Sequence, residues 1–186
     1  MRLAALDFLA CPRCHGALQL TAGAPAGAHV LEGQLRCGGC DAAYPIVRGV
    51  PRLVLDATAT DASTPARFAE EWRRYSELAP HYEQQFLDWL APVGRKDFAG
   101  RLVFEGGCGK GRHTALAASF GARAVVAVDL GEAAEVAFAN TRDLETVHIV
   151  IGDLRQPPVR PVFELSFSIG VLHHLTEPRA GFQGLL

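Results

Sequence analysis

The sequence predicts an α/β fold in which a partial, Rossmann-like parallel sheet of about four strands follows a small β-rich module at the N-terminus. From residue 101 onwards, short apolar segments alternate with helix-like segments, which is typical of a parallel sheet covered by helices. The first of these strands runs into a glycine-rich turn, Glu105–Gly111. Two Cys-x-x-Cys pairs lie in residues 1–57, a segment too short to bury much core by itself.

Length and composition favour one ordinary domain with a small appendage. The 186 residues are 49% hydrophobic and 20% charged, as in globular proteins, and hold no apolar run long enough to cross a bilayer. Asp7 interrupts the N-terminus too early for a secretory signal. The net charge of −2 gives no electrostatic signature of nucleic-acid binding. We therefore expect a cytoplasmic protein with no membrane partner, and nucleic acid is disfavoured as a partner.

Residues 1–57 contain four cysteines arranged as two matched pairs. Cys11-Pro12-Arg13-Cys14 and Cys37-Gly38-Gly39-Cys40 are separated by 22 residues, a spacing that fits a tetrahedral four-cysteine zinc site. Disulfide bonds or a redox pair are the alternatives, and neither requires two matched pairs in a reducing compartment. Zinc would also supply stability that so small a module lacks. We therefore predict a zinc ribbon over residues 1–57. Its ligands are Cys11, Cys14, Cys37 and Cys40.

A linker and two aromatic helices are predicted for residues 58–98. Residues 56–64 are rich in Ala and Thr and are typical of a linker. The first helix is predicted to end at Pro80 and the second near Pro92. The aromatic residues at helical spacing are Phe68, Trp72 and Tyr75 in the first helix and Tyr82, Phe86 and Trp89 in the second. Such rows usually pack in a core, and the alternative is that Trp72 or Tyr75 covers the glycine-rich turn.

Residues 99–186 form the predicted parallel-sheet domain. The predicted strands are Leu102–Glu105, Ala124–Asp129, Val147–Ile151 and Leu165–Gly170, and the predicted helices are His113–Phe120 and Glu132–Asn140. Ligands of such sheets bind beyond the carboxyl ends of the strands. The residues that fall at that edge are Glu105, Asp129, Asp153 and Gly170. Their convergence predicts a ligand site there.

Four elements, in order within residues 101–186, resemble those of a class I S-adenosylmethionine-dependent methyltransferase. They are Glu105-x-Gly107-x-Gly109-x-Gly111, the acid Asp129, Gly152-Asp153-Leu154, and the run Ser168–Leu175 with its Val-Leu-His-His-Leu sequence. That last run is similar to the subgroup that includes many small-molecule methyltransferases. The four-cysteine module, over residues 8–55, resembles the small zinc ribbon that partners or fuses to such enzymes.

The resemblance implies a cofactor and the residues that bind it. Glu105 would face the ammonium group of S-adenosylmethionine, Asp129 would accept from both ribose hydroxyls, and Asp153 would accept from the adenine amino group. The implied cofactor-binding residues are Glu105, Gly107, Cys108, Gly109, Gly111, Asp129, Leu130, Asp153, Leu154 and Gly170. For the Cys108 thiol the alternative is a small packing group. Lys110 stands where the family usually has a small residue, and its charge would weaken cofactor binding unless the side chain points to solvent.

His173 and His174 are the implied catalytic residues. Both follow the fourth predicted strand, close to where a methyl acceptor would lie. One of them could act as a general base when the acceptor carries a proton. The alternative is structural, with His174 packed against the following turn and His173 partly exposed.

A nicotinamide-dependent dehydrogenase is the main rival interpretation of the glycine-rich turn. Its fingerprint also places an acid after the second strand, but the glycines follow G-x-G-x-x-G. Here they alternate as G-x-G-x-G, and Arg112 follows the last of them. The spacing therefore disfavours a dinucleotide.

The implied function is methyl transfer from S-adenosylmethionine to a small molecule. One alternative is a truncated, non-catalytic module that binds the cofactor or a protein partner, and another is an enzyme that modifies tRNA or protein. The sequence stops at Gly181–Leu186, within the helix after the fourth strand, whereas the family's fold continues. We therefore expect a shortened domain whose fourth strand is an exposed edge. A protein partner would bind through the zinc ribbon or through that edge.

Overall fold

The computed structural model describes residues 1–55, 63–79 and 81–186. Most of the predicted linker, residues 56–64, lies outside the described residues, and so does Pro80, the predicted end of the first aromatic helix. Helix α1 spans Ser63–Arg74, so it begins inside the predicted linker.

The described residues form ten strands and five α-helices. The strands are β1 (Leu18–Ala22), β2 (Pro25–Ala26), β3 (His29–Val30), β4 (Gly33–Cys37), β5 (Ala43–Val47), β6 (Val50–Leu53), β7 (Leu102–Gly106), β8 (Ala124–Asp129), β9 (Val147–Gly152) and β10 (Leu165–Phe167). The helices are α1 (Ser63–Arg74), α2 (Tyr82–Leu90), α3 (Arg112–Ser119), α4 (Ala133–Thr141) and α5 (Pro178–Gln183). The predicted α/β class is confirmed.

Eight of these strands form one sheet in the order β1-β4-β5-β6-β9-β8-β7-β10. Strands β7 to β10 pair in parallel, whereas β1, β4, β5 and β6 pair with one another antiparallel. The two halves join where β6 pairs in parallel with β9, with Arg52 opposite Ile151 and Leu53 opposite Gly152. The prediction of about four strands is therefore wrong. The ribbon strands extend the parallel sheet and supply hydrogen bonds to the edge that β9 would otherwise expose.

The central strands are buried on both faces, which explains their continuous apolar sequences. All six residues of β9 and the first five of β8 are buried. Strands covered by layers on both sides show such continuous runs rather than polar–apolar alternation. This burial places β8 and β9 at the centre of the molecule.

Two hydrophobic clusters lie on opposite faces of the sheet. Neighbouring residues of β8 alternate between them, with Val126 in one cluster and Val125 in the other. The first cluster combines ribbon residues such as Leu35 and Leu53 with Phe104 and Val150 of the parallel sheet. The ribbon and the parallel sheet therefore share one core.

The carboxyl ends of the parallel strands meet at one edge, where the candidate site lies. The glycine-rich turn follows β7, Asp129 ends β8, and Asp153 follows β9. Helix α1 packs against α4, and α2 packs against α3, so both helices stand beside this edge. In the described part of the chain, no helix has the length and apolar character needed to span a bilayer.

Candidate cofactor cavity and zinc centre

The four paired cysteines converge on one point in the ribbon. The sulfur atoms of Cys11, Cys14, Cys37 and Cys40 all lie within 4.8 Å of one another. All four are free thiols, which excludes the disulfide alternative in this structure. Four sulfur ligands at this spacing suit tetrahedral zinc. The cysteines are thus placed to bind a zinc ion, as the sequence predicts.

Two of these sulfurs each have a hydrogen-bonding group beside them. The hydroxyl of buried Tyr44 lies 3.1 Å from Cys11 Sγ, and the backbone N–H of Gly39 donates to Cys37 Sγ at 3.3 Å. Donors to ligand sulfurs orient them and share their negative charge. Sequence reasoning missed Tyr44, because its contact with Cys11 depends on the pairing of β5 in the ribbon.

The glycine-rich turn adopts a backbone that side chains would obstruct. Gly107, Gly109 and Gly111 have φ angles of 79°, 52° and 82°, in the left-handed region that favours glycine. A Cβ on Gly107 would come within 2.2 Å of Val171, and one on Gly109 within 3.0 Å of the Trp72 indole nitrogen. The alternating glycines therefore let neighbouring segments, including α1, pack directly on the turn.

Asp129 links the glycine-rich turn to the end of β8. Its two carboxylate oxygens accept hydrogen bonds from the backbone N–H groups of Gly109, at 2.8 Å, and Gly131, at 3.0 Å. Burial raises the pKa of Asp129, while these backbone donors act in the opposite direction. Each oxygen retains a lone pair, so the carboxylate can still accept from the hydroxyls of a ligand.

Asp153 is held in an ion pair rather than left as a solvated loop acid. Its oxygens accept from the Arg155 side chain at 2.7–3.1 Å and from the Arg155 backbone at 2.8 Å. Asp153 is buried, and both residues line the cavity described below. Sequence reasoning missed Arg155, because two charged residues that are two positions apart in a loop can point in different directions, and the sequence alone does not show that they pair.

Glu105 lies beneath the turn and is fully buried. Its carboxyl group accepts a hydrogen bond from Thr114, and His113 Nδ1 lies 3.8 Å from it. Burial raises the pKa of Glu105 to about 8, with the negative charge of Asp129 adding to the effect. Burial also lowers the pKa of His113 to about 3, so this imidazole is neutral at pH 7. Burial thus favours the protonated form of the Glu105 carboxyl group.

A cavity of about 230 Å³ opens at this edge of the sheet. The predicted site residues that line it are Gly107, Cys108, Gly109, Asp129, Leu130, Asp153, Leu154, Gly170 and His174. The predicted residues that do not line it are Glu105, Gly111 and His173. Gly111 instead caps the start of α3 with a left-handed backbone. The structure thus brings most of the predicted residues to one cavity.

The two predicted catalytic histidines differ in position. Both lie in a short 3₁₀ turn, Leu172–His174, with ring centres 3.9 Å apart. His174 lines the cavity and packs against Phe68, with ring centres 5.1 Å apart. His174 is therefore the one placed to meet a ligand in the cavity.

An aromatic wall, defined here as Phe68, Trp72 and Trp89, closes one side of the cavity. Sequence reasoning favoured a core position for these side chains, with Trp72 or Tyr75 as an alternative cover. Trp72 does lie over the turn, whereas Tyr75 is 57% exposed and is not among the residues lining the cavity. Helical spacing shows which residues share a face, but not whether that face meets a core or a cavity.

Lys110 adopts neither of the orientations considered from the sequence. It is 3% exposed, and its Nζ donates to the carbonyl oxygens of Tyr75 at 2.7 Å and Glu77 at 2.9 Å. The ammonium group also lies about 5 Å from the ring centres of Trp72 and Tyr82. Its charge is thus directed to the segment that joins α1 and α2, which it holds against the turn.

Comparison with known proteins divides the chain into two matched segments. Residues 104–185 match the family model described as a methyltransferase domain, and residues 2–49 match that of Trm112p-like protein. A solved S-adenosylmethionine-dependent methyltransferase from Aquifex aeolicus superposes with a TM-score of 0.51 at 18% identity. The superposition covers 63% of this chain and 64% of that one. This likeness supports the fold.

The curated relatives carry tRNA in their names. A tRNA U34 carboxymethyltransferase from Sodalis glossinidius is 30% identical over 115 residues, covering 58% of this chain and 32% of the relative. One of the same name from Marinobacter nauticus is 31% identical over 117 residues, covering 58% and 31%. The chain spans about a third of the length of these relatives.

These relatives contradict two predictions made from the sequence. A small-molecule acceptor was expected, and nucleic acid was disfavoured as a partner, but the relatives are named for action on tRNA. The inference failed because net charge averages over the whole surface. A total of −2 does not describe how charges are distributed around one cavity.

Proposed function

We propose that this chain, an S-adenosylmethionine-dependent methyltransferase domain fused to a Trm112p-like zinc ribbon, acts on tRNA. The observation that supports tRNA as the acceptor is the 30% identity, over 115 residues, with relatives named for that substrate. The lining of the cavity also supports tRNA as the acceptor. Asp129 and Asp153 line one part of it, and the aromatic wall and Arg112, which suit a base and its phosphate, line another.

The residues present fit the cofactor. The glycine-rich turn lines the cavity, and Asp129 presents carboxylate oxygens at the end of β8. We propose that Asp129 binds the ribose hydroxyls, that Asp153 accepts from the adenine amino group in place of one of its contacts with Arg155, and that Leu154 packs on the adenine ring. When bound, S-adenosylmethionine supplies a methyl group on a positively charged sulfur.

The chain's own contribution to transfer is alignment and proton removal. The aromatic wall and the turn bound the cavity and restrict the directions from which an acceptor can enter. We propose that His174 accepts the acceptor's proton, since it lines the cavity and His173 does not. Glu105 lies behind the turn, so its contribution is to position Thr114 and the start of α3.

Calorimetric titration of the full chain with S-adenosylmethionine tests the cofactor site. We expect Asp129→Ala to weaken binding by about 10- to 150-fold, the effect of losing hydrogen bonds to a charged group. Asp129→Asn, which keeps the shape and one acceptor oxygen, should lose less. If the wild-type chain does not bind the cofactor, or if Asp129→Ala binds equally well, the assignment of the site is wrong.

Transfer of labelled methyl groups to bulk tRNA tests the acceptor. We expect label in tRNA that ribonuclease treatment removes, and a large loss of transfer in His174→Ala with the cofactor affinity retained. His173→Ala is the matched control and should retain transfer. Cofactor binding without transfer to tRNA would contradict the proposed function and favour a non-catalytic module.

A further inference from the structure

We propose that Trp89 and Arg112 form a stacking site for the tRNA nucleobase that receives the transferred group. This inference rests on the proposed function and names the residues that would recognise the acceptor. Trp89 lies on α2 and Arg112 opens α3, and both line the cavity. The Arg112 guanidinium stands 5.7 Å from the Trp89 ring centre.

The aromatic wall belongs to a part of the chain separate from the cofactor elements. The turn, Asp129 and Asp153 all lie within residues 104–185, the segment that matches the methyltransferase family. Phe68, Trp72 and Trp89 lie between the two matched segments, in neither of them. Trp72 of this wall lies over Gly109 of the turn, whereas Trp89 stands beside Arg112 at the start of α3. We therefore distinguish a cofactor end, formed by the turn, Asp129 and Asp153, from an acceptor end at Trp89 and Arg112.

Trp89 has the exposure that a stacking platform requires. It is 50% exposed, whereas Phe86 on the same helix is fully buried in the core. Its ring lies 6.0 Å from that of His113 with the two planes at 80°, and the Arg112 guanidinium lies over it at 5.7 Å, so these neighbours leave half of the side chain open to a ligand. Exposed indole faces bind nucleobases by stacking, and this contact tolerates different bases because each has a π face.

Arg112 adds a positive charge beside this platform. Its guanidinium lies 5.0–6.0 Å from the ring centres of Trp72, Tyr82 and Trp89. Within the described ranges, 1–55, 63–79 and 81–186, no salt bridge to a carboxylate engages it. Lys110 and Arg155, the other cations lining the cavity, are bound to carbonyl oxygens and to Asp153. An arginine held by aromatic faces suits the phosphate next to a stacked base.

Binding of a labelled anticodon stem-loop RNA with uridine at position 34, followed by fluorescence anisotropy, tests the inference. A second RNA replaces that uridine with an abasic ribose. We expect Trp89→Ala to weaken binding of the uridine RNA by about 5- to 150-fold and to leave binding of the abasic RNA unchanged. Trp89→Phe, which keeps an aromatic face, is the matched control and should lose less than about 5-fold. Arg112→Gln should weaken binding of both RNAs and reduce the salt dependence, because a phosphate contact is independent of the base.

Calorimetry with S-adenosylmethionine separates the two ends of the cavity. We expect Trp89→Ala and Arg112→Gln to bind the cofactor as the wild type does. If instead they lose cofactor affinity and keep RNA affinity, the pair belongs to the cofactor end and the inference is wrong. Equal binding of the uridine RNA by wild type and Trp89→Ala would also refute it while leaving tRNA as the substrate. Failure of the wild-type chain to bind either RNA would refute the proposed function itself.

Discussion

At the residue scale, the burial of Glu105 couples the protonation of one carboxyl group to the stability of the fold. The residue is 1% exposed, and its pKa rises to about 8 because burial disfavours the charged form. In the unfolded chain the same carboxyl group loses its proton near its ordinary pKa of about 4.5. Between these two values the folded protein holds a proton that the unfolded chain has released. The contribution of Glu105 to the free energy of unfolding is therefore full below pH 4.5, and it falls as the pH rises towards 8.

We predict that Glu105→Gln removes this loss of stability. Glutamine keeps an oxygen that can accept from Thr114, and it carries no charge to bury. The variant should unfold at the same temperature as the wild type at pH 4.5, and several degrees higher at pH 8.5, when measured by circular dichroism. Glu145→Gln, at an exposed position, is the control and should show no such difference between the two pH values. A Glu105→Gln variant that is less stable at pH 8.5 would mean that the carboxylate is needed in its charged form.

At the element scale, helices α1 and α2 form a cover that the turn itself holds in place. The Lys110 ammonium binds two carbonyl oxygens of the segment between these helices, and Asn140 donates to the carbonyl oxygens of Ser76 and Lys110, at 2.8 and 2.9 Å. Trp72 lies against Gly109. These contacts tie Trp72 and the segment between α1 and α2 to the same loop that would bind the cofactor, so loosening that segment should lower cofactor affinity.

We predict that Lys110→Met releases the segment between α1 and α2. Methionine has a similar length but cannot donate to the carbonyl oxygens of Tyr75 and Glu77, which then require water. Cleavage by chymotrypsin after Tyr75 or Leu78 should become faster, and affinity for S-adenosylmethionine should fall. Lys96→Met, at an exposed position, is the control and should change neither. Unchanged cleavage in Lys110→Met would mean that the aromatic contacts alone hold the cover.

The elements differ in how well the sequence predicts them. The strand Leu102–Glu105 was predicted within one residue of β7, and Ala124–Asp129 coincides with β8, because their apolar runs and flanking glycines are local signals. The pairing of β6 with β9 was not predictable in this way, since Arg52 and its partner Ile151 are 99 positions apart and neither strand encodes its neighbour. The residues of the cavity also differ in how well the sequence predicts them. Asp129 and Asp153 were predictable because each follows a strand of the parallel sheet. Arg112 and Trp89 were not, because they line the cavity only through the packing of α2 on α3.

At the scale of the whole molecule, the zinc ribbon and the methyltransferase domain are joined by both strand pairing and side-chain packing. They share a continuous sheet through β6 and β9 and a hydrophobic cluster that contains residues of both. Arg48 and Arg52 of the ribbon both lie 2.6 Å from the Glu135 carboxylate on α4. A small module with a metal site often folds only when the metal binds. Loss of zinc should therefore destabilise the parallel sheet as well as the ribbon.

We predict that removal of zinc destabilises the methyltransferase domain as well as the ribbon. The two tryptophans of the chain, Trp72 and Trp89, lie on α1 and α2, which pack on α4 and α3 of the domain, so their fluorescence reports on this packing. Chelation, or Cys37→Ser, should lower the temperature at which tryptophan fluorescence changes, because β9 loses its neighbour β6 and the shared cluster opens. Zinc added back to the chelated wild type should restore the midpoint, whereas magnesium should not, since it prefers oxygen ligands. If metal analysis shows that zinc has left and the tryptophan midpoint is unchanged, the two modules fold independently despite their common sheet.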